Sequence, residues 1–230
     1  MADQALPPVS HEANAHAHHP ALRHHFVDME QQRESSTLGM WLFLVTEIMF
    51  FGGLFTGYGV YRFMYPEAWK EAAHHLDVTL GAINTAVLIL SSLTMALAVH
   101  SAQLGKKKLL IIFLITTLVL GLIFLGIKTK EYSDKFEHHL IPGTDFHFEG
   151  PWAHQAMLYY CFYFAMTGMH ALHMIIGMVT ICVLIRMAAK NKFSAAYHTH
   201  IELFGLYWHF VDIVWIFLFP LLYLIGRHAS

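Results

Sequence analysis

Charged residues are scarce in this chain of 230 residues: Asp, Glu, Lys and Arg make up 13% of it, against about 25% in soluble domains. Hydrophobic residues make up 56%, and the mean hydropathy is +0.47. So little polar surface is typical of a protein that is surrounded by lipid. The formal net charge of −2 supplies no basic footprint, so we expect no nucleic-acid partner.

Cysteine is also rare, since only Cys161 and Cys182 occur. They lie 21 residues apart in one apolar run, about 31 Å along a helix, which is too far for a disulfide. Nucleotide-binding loops, nucleophile elbows and zinc-protease motifs are absent, so the sequence does not predict soluble catalysis. The absence of a CxxCH motif argues against covalently attached haem c.

Long apolar runs are what the sequence does have. Each of five runs is long enough to cross a hydrocarbon core of about 30 Å as a helix. The predicted spans are residues 38–61, 78–99, 109–127, 155–185 and 203–225. We therefore predict an all-α, polytopic membrane protein with five transmembrane helices, forming one membrane domain over residues 37–230.

Residues 1–36 precede the first run and contain no apolar core of the kind that a secretory signal needs. Six of them are histidines: His11, His16, His18, His19, His24 and His25. Such tracts bind metal in some proteins, but no cysteine lies near and the spacing matches no defined site. We predict a flexible, His-rich cytoplasmic tail.

The orientation follows from the distribution of lysine and arginine between the loops. The tail and the loops after the second and fourth runs carry eight of these residues, and the opposite side carries six. The loop with Lys106, Lys107 and Lys108 is short and purely basic, which gives it most weight. We therefore predict a cytoplasmic N-terminus and an external C-terminus.

The fifth run carries three polar residues on one side of the predicted helix. At about 100° per residue, Glu202, His209 and Asp212 fall within an arc of roughly 80° and form a polar stripe. A carboxylate is costly in lipid, so the stripe is expected to face other protein or water.

Glu47 is the only formal charge in the first run. An intramembrane acid is a proton relay, an ion site or a structural hydrogen-bonding group, and the sequence leaves these alternatives open. Gly52, Gly53 and Gly57 follow within three turns and favour close helix packing there.

His170 and His173 lie one turn apart in the fourth run, on the same face as Thr167 and Gly177. One hypothesis is haem b ligation, with His170 and His209 as axial ligands from two helices. The alternative, which we favour, is a polar seam in which His170 or His173 hydrogen-bonds the stripe on the fifth helix.

Several segments taken together resemble subunit III of the haem–copper respiratory oxidases. The matching segments are Thr46-Glu47-Ile-Met-Phe50-Phe51, Asn84-Thr85, Ser91-Ser92, Glu131-Tyr132, Thr167-Gly168-x-His170-x2-His173-x3-Gly177, and His198-x3-Glu202 leading into Tyr207-Trp-His-Phe-Val-Asp-Ile-Val-Trp215. They occur in order between about residues 38 and 226, and the last two are the most specific.

This resemblance implies a non-catalytic accessory subunit of a proton-pumping terminal oxidase that reduces oxygen to water. It implies no active site, haem or metal in this chain, with the haems and copper in partner subunits I and II. Members pack on subunit I, bind phospholipids in a cleft between helix bundles, and support proton uptake and stability. Subunit IV and a respiratory supercomplex are further partners that the resemblance allows.

Two residues acquire roles through the resemblance. Glu47 matches the family's carbodiimide-reactive carboxylate. Arg186 lies near the family arginine that contacts a lipid phosphate, with a spacing difference of one residue, and is a candidate for a lipid headgroup.

The chain departs from the mitochondrial type of subunit III, which has two further N-terminal helices that form one wall of the lipid cleft. Shorter five-helix members occur in bacterial cytochrome c and quinol oxidases, which implies a bacterial cytoplasmic membrane. A quinol oxidase subunit, a haem b cytochrome, and a transporter using Glu47, Glu202 and Asp212 remain alternatives.

Overall fold

The structure is a computed structural model that describes residues 26–143, 146–148, 151–191, 193 and 198–224. The described residues form helices and connecting segments, with no strand among them. In chain order the helices are α1 (Met29–Met64), α2 (Pro66–His74), α3 (Val78–Gln103), α4 (Lys107–Glu137), α5 (Ala153–Ala189) and α6 (Thr199–Phe219), and a π-helical turn (Pro220–Leu224) continues α6. Five of these helices are long and apolar enough to span a membrane, which confirms the predicted fold class.

Helix α1 begins at Met29, nine residues before its apolar run. Asp28 caps it by accepting a hydrogen bond from the backbone N–H of Gln31 at 2.7 Å. Helix α1 therefore begins within the predicted tail, whose residues 29–36 are polar but helical. The six histidines of the tail lie outside the described residues.

The loop predicted after the first span contains the short helix α2. Pro66 occupies its first turn, where a missing N–H costs nothing. The helix buries Trp69 against Tyr159 of α5, with ring centroids 5.8 Å apart, and Ala72 is also fully buried. The helix carries charged residues on one face, while Ala68, Trp69, Ala72 and Ala73 on the other face are buried against the bundle.

Helix α4 continues ten residues beyond the predicted span, to Glu137. Lys128, Glu131 and Lys135 are buried in this extension, so the segment after the predicted third span is helical and packed inside the protein. Their charged groups are accommodated because each contacts a partner inside the protein, and Lys135 donates to the backbone carbonyl of His75.

Helices α3 to α6 form a close-packed bundle in which α6 contacts α1, α3 and α5. Gly177 permits the closest approach of α5 to α6, since a Cβ atom there would lie 2.8 Å from the Trp208 ring. Helix α1 lies at the edge and buries only Leu44, Phe51 and Tyr58, which recur every seven residues and form one narrow stripe.

Candidate functional site

Glu47 and His173 meet inside the membrane region, where α1 packs on α5. Glu47 Oε2 lies 3.1 Å from His173 Nε2, and the two side chains are 20% and 10% exposed. His173 Nδ1 lies 2.8 Å from the carbonyl oxygen of Met169 and must donate to it, because a carbonyl only accepts. Nε2 then either accepts from a protonated Glu47 or, as imidazolium, donates to its carboxylate. Both arrangements give one hydrogen bond between α1 and α5.

The surrounding side chains hold this pair in place. Phe51, one turn after Glu47, packs on the His173 ring with centroids 5.3 Å apart. Tyr207 of α6 donates its hydroxyl to the carbonyl of His173 at 2.9 Å. The Glu47–His173 pair therefore joins α1 to α5 and is braced by α6.

The α6 stripe faces α3 rather than the α5 histidines. Gln103 Nε2 donates to Glu202 Oε1 at 2.8 Å, and His198 Nε2 lies 3.1 Å from the same oxygen. His209 Nδ1 lies 2.6 Å from Ser92 Oγ. The partners Ser92 and Gln103 both lie on α3, whereas the predicted seam lay between α5 and α6. The predicted contact between the α5 histidines and this stripe was wrong, since His173 bonds to Glu47.

Asp212 is the third residue of the stripe and is 3% exposed. Both carboxyl oxygens are enclosed by the protein, and the Ser92 hydroxyl is the group that interacts with them, at longer than ordinary hydrogen-bond distance. Asp212 lines a groove between α3 and α6 together with Ser92 and His209.

His170 is 1% exposed and lies between the rings of Phe124 and Trp215, with centroids 5.4 and 5.2 Å from its own. The two grooves that His209 lines do not include His170. Aromatic side chains therefore occupy the flanks of His170, and the geometry does not support His170 and His209 as a pair of haem ligands. Within the described ranges no group of three His, Cys, Asp or Glu residues is arranged to hold a metal ion.

A second polar cluster, the Lys128 network, lies at the predicted external end of the bundle. Lys128 Nζ contacts Glu131 Oε2 at 2.9 Å and the Tyr223 hydroxyl at 2.8 Å. The hydroxyls of Tyr163 and Tyr223 donate to Glu131 Oε1 at 2.9 and 2.5 Å. All four side chains are buried, and they tie α4 and α5 to the π-helical turn.

Sequence reasoning missed this network because Lys128 was taken to end the third span. The available signal was the spacing of Lys128 and Glu131, which places opposite charges one turn apart on a helix. The lysine also lies 5.0 Å from the centre of the Trp215 ring, so its charge is stabilised by aromatic faces as well.

An open cavity of about 500 Å³ adjoins the network on its outer side. It is lined by His75, Asp77, Leu80, Glu131, Asp134, Lys135, His138, Leu140, His147 and Phe148. Burial lowers the pKa of His75, and the neighbouring Lys135 charge lowers it further. His75 therefore stays neutral to lower pH than a solvated histidine.

An apolar groove of about 530 Å³ runs between α1 and α6, beside the Glu47–His173 pair. Its walls are Trp41, Leu44, Ile48, Phe51, Gly52, Phe55, Leu206, His209, Phe210, Ile213, Val214 and Phe217. Arg186 lies exposed in the last turn of α5 and is not part of this lining. The shape and chemistry of the groove suit an acyl chain.

Known proteins match this chain along nearly its whole length. The family described as cytochrome c oxidase subunit III matches residues 24–227. A protein named cytochrome c oxidase subunit 3, from Corynebacterium diphtheriae, is 35% identical over 82% of this chain and 87% of its own length. Probable quinol oxidase subunit 3 of Staphylococcus saprophyticus is 33% identical over 84% and 90%, and that of Staphylococcus aureus is 31% identical over 86% and 92%.

Proposed function

We propose a specific role for this chain from the premise that it belongs to the cytochrome c oxidase subunit III family. As a member it is a multi-pass membrane protein and an accessory subunit of a haem–copper oxidase. We infer that it lies in a bacterial cytoplasmic membrane and packs on subunit I, in a complex whose haems and copper are held by subunits I and II. Its own part is to bind lipid and to support the integrity and proton uptake of subunit I.

The observation that carries this proposal is the Glu47–His173 pair beside the α1–α6 groove. Phe51 belongs to both, because it packs on the His173 ring and lines the groove. A hydrogen-bonded glutamate–histidine pair and an apolar groove therefore adjoin on the side where α1 buries few residues. A lipid in the groove would bury this side of α1 and shield the pair.

Lipid binding in the α1–α6 groove is supported by its lining, which is almost wholly apolar and aromatic. We propose that lipid or another subunit covers this side of α1 and closes the groove. Arg186 is kept as a candidate for a separate phosphate contact, since it is exposed in the last turn of α5.

Isolation of the tagged chain from mildly solubilised membranes tests the proposal. We expect a large, many-helix subunit to co-purify and to show haem a or haem o bands. Because the relatives are named for both cytochrome c and quinol oxidases, oxidation of each donor by the isolated complex then assigns the donor. A lone, colourless chain would contradict the proposal, and a lone chain with a b-type spectrum would favour the cytochrome instead.

Deletion of the subunit tests the supporting role separately. The complex without it is expected to lose activity progressively during turnover, and its proton uptake is expected to slow. If inactivation and proton uptake match those of the complete complex, the supporting role is wrong even though the family assignment stands.

A further inference from the structure

Tyrosine and tryptophan rings form a continuous chain at the end of the bundle that contains the Lys128 network. These two kinds of side chain are among those that give up a single electron most readily. Neighbouring ring centroids lie 5.4 to 6.5 Å apart along Trp69, Tyr159, Tyr160, Tyr163, Tyr223 and Trp215. All six side chains are fully buried, and we call them the aromatic chain. Because the rings are in contact, an electron lost from one of them is readily replaced from the next.

The aromatic chain reaches the surface of the protein through Tyr132. The ring of Tyr132 is only partly buried, and its centroid lies 6.1 Å from that of Tyr163. Its hydroxyl lies 2.5 Å from the hydroxyl of Thr167. An oxidant that stays outside the bundle therefore meets Tyr132 first, one ring away from the buried tyrosines.

Two buried phenols of this region donate to backbone carbonyls. Tyr159 donates to the carbonyl of Leu222 at 2.9 Å, and the neighbouring Tyr58 donates to the carbonyl of Leu221 at 2.8 Å. A phenol becomes strongly acidic when it loses an electron, and a peptide carbonyl is too weak a base to hold the proton. These two phenols therefore give a poor resting place for a radical.

Tyr163 and Tyr223 have the proton acceptor that those phenols lack. Both donate to Glu131 Oε1, at 2.9 and 2.5 Å, and an ionised carboxylate is able to take up a proton. Lys128 Nζ lies 2.8 Å from the Tyr223 oxygen and 3.3 Å from that of Tyr163, so it donates to the phenolic oxygen before and after the proton leaves. A neutral tyrosyl radical is therefore more stable here than elsewhere along the aromatic chain.

We propose that this chain has a protective redox function, in which Tyr163 and Tyr223 hold oxidising equivalents that come from lipid peroxyl radicals in the membrane. Tyr132 is the point of entry and Glu131 is the proton acceptor. This function goes beyond the accessory role proposed above and does not depend on it, because peroxyl radicals arise in any oxidised membrane.

The transfer moves one electron and one proton. The peroxyl radical takes an electron from Tyr132 and a proton from the aqueous surface, and becomes a hydroperoxide. Tyr132 regains an electron from Tyr163 or Tyr223, whose phenolic proton passes to Glu131. A membrane quinol then restores the phenol by giving one electron, and becomes a semiquinone as it releases a proton to water. Glu131 returns the phenolic proton.

Electron paramagnetic resonance of the full-length chain in lipid nanodiscs tests for the radical. Peroxyl radicals are generated in the lipid with a lipid-soluble azo initiator, and the sample is frozen during the reaction. We expect a tyrosyl signal that narrows when the protein is labelled with ring-deuterated tyrosine. If lipid hydroperoxides accumulate and no tyrosyl signal appears, the proposal is overturned.

Two matched pairs of substitutions locate the radical. Tyr163→Phe with Tyr223→Phe removes the phenols that donate to Glu131, whereas Tyr58→Phe with Tyr159→Phe removes two buried phenols that donate to carbonyls. The first pair is expected to lose most of the tyrosyl signal and to accumulate oxidised tryptophan, and the second pair to keep the wild-type signal. Circular dichroism verifies the folding of each variant. Equal signals from the two pairs would overturn the assignment.

A labelled residue keeps the assignment testable if the first pair does not fold. Replacement of Tyr163 or Tyr223 by 3-fluorotyrosine retains the hydroxyl, and its fluorine adds a splitting to the signal if the radical rests on that ring. A signal with no fluorine splitting from either position would place the radical elsewhere and overturn the proposal.

Infrared difference spectra of the wild-type chain test the proton acceptor. As the radical forms, we expect the C=O band of a protonated carboxyl group to appear and to shift when the protein is labelled with ¹³C-glutamate. A tyrosyl radical that forms without such a band would overturn the role of Glu131.

Discussion

Helix α1 and the bundle of α3 to α6 use ionisable residues in opposite ways. In the bundle, Lys128 and Glu131 are almost fully buried, and each makes several hydrogen bonds. On α1, Glu47 is one-fifth exposed and has one partner, His173. The buried network joins α4, α5 and the π-helical turn, whereas the Glu47–His173 pair joins two helices through one contact and is partly exposed. The bundle is therefore the more tightly bonded region, and α1 is the side on which the function proposed above places lipid and proton uptake.

Loss of Glu131 should have the largest effect on this scaffold. Glu131→Ala leaves the Lys128 ammonium buried beside two tyrosine hydroxyls, and breaking a buried pair in this way costs about 3–5 kcal/mol. The measurement is unfolding of the purified chain in detergent. Lys130→Ala is the control, since Lys130 is exposed on the same helix.

A double substitution separates charge from packing at this network. Lys128→Met with Glu131→Leu removes both charges together and should recover most of the lost stability, because apolar residues of similar volume replace a buried ion pair at little cost. A double variant as unstable as Glu131→Ala would show that the tyrosine hydrogen bonds, rather than charge balance, stabilise this end.

A glycine pair tests the difference in packing between the two regions. Gly177→Ala puts a methyl group 2.8 Å from the Trp208 ring, and overpacking of this kind costs about 1–3 kcal/mol. At Gly52 of α1 an added Cβ meets no atom within 4 Å, so Gly52→Ala should leave stability unchanged or slightly higher. Equal losses in unfolding measurements would mean that α1 is packed as tightly as the bundle.

The Glu47–His173 pair should be less sensitive than the buried network. Glu47→Ala leaves His173 Nε2 without its partner, at a cost near the lower end of about 1–3 kcal/mol because the site is partly exposed. Glu47→Gln retains the shape and offers an amide donor to a neutral imidazole, so assembly should stay nearly intact. Co-purification of the large subunit with each variant is the measurement. Equal losses from both variants would show that the charge itself is required.

The sequence predicted the scaffold better than its contacts. Five spans and the family resemblance followed from apolar runs and from motifs such as Tyr207–Trp215, which are properties of local sequence. The contact between His173 and Glu47 could not be predicted from local sequence. The two residues are 126 positions apart, and only the packing of α1 on α5 brings them together. Glu47 and His173 were each identified as candidates, but His173 was assigned to the wrong neighbours.

The Lys128 network was missed for a different physical reason. A hydropathy criterion ends a span at the first charged residue, since an unpaired charge is costly in lipid. Lys128 and Glu131 neutralise each other within one helix turn, so the helix continues beyond residue 127 to Glu137. A search for opposite charges at helical spacing beyond each apolar run would have extended α4.

The smallest predicted effect concerns pH at the rim of the external cavity. The pKa of His75 is lowered by burial and by Lys135, so between its folded and unfolded pKa values the unfolded chain binds more protons. Stability from this group is therefore present above the unfolded pKa of about 6.5 and is lost as the pH falls below it. Between pH 7.5 and 5.5 the melting temperature of the wild type should fall slightly more than that of His75→Gln. The control is His100→Gln, at an exposed position, which should show the same fall as the wild type. If His75→Gln shows the wild-type pH dependence, water in the cavity hydrates His75 and its pKa is not lowered. The difference in burial between the bundle and the α1 side would then not extend to this end of the molecule.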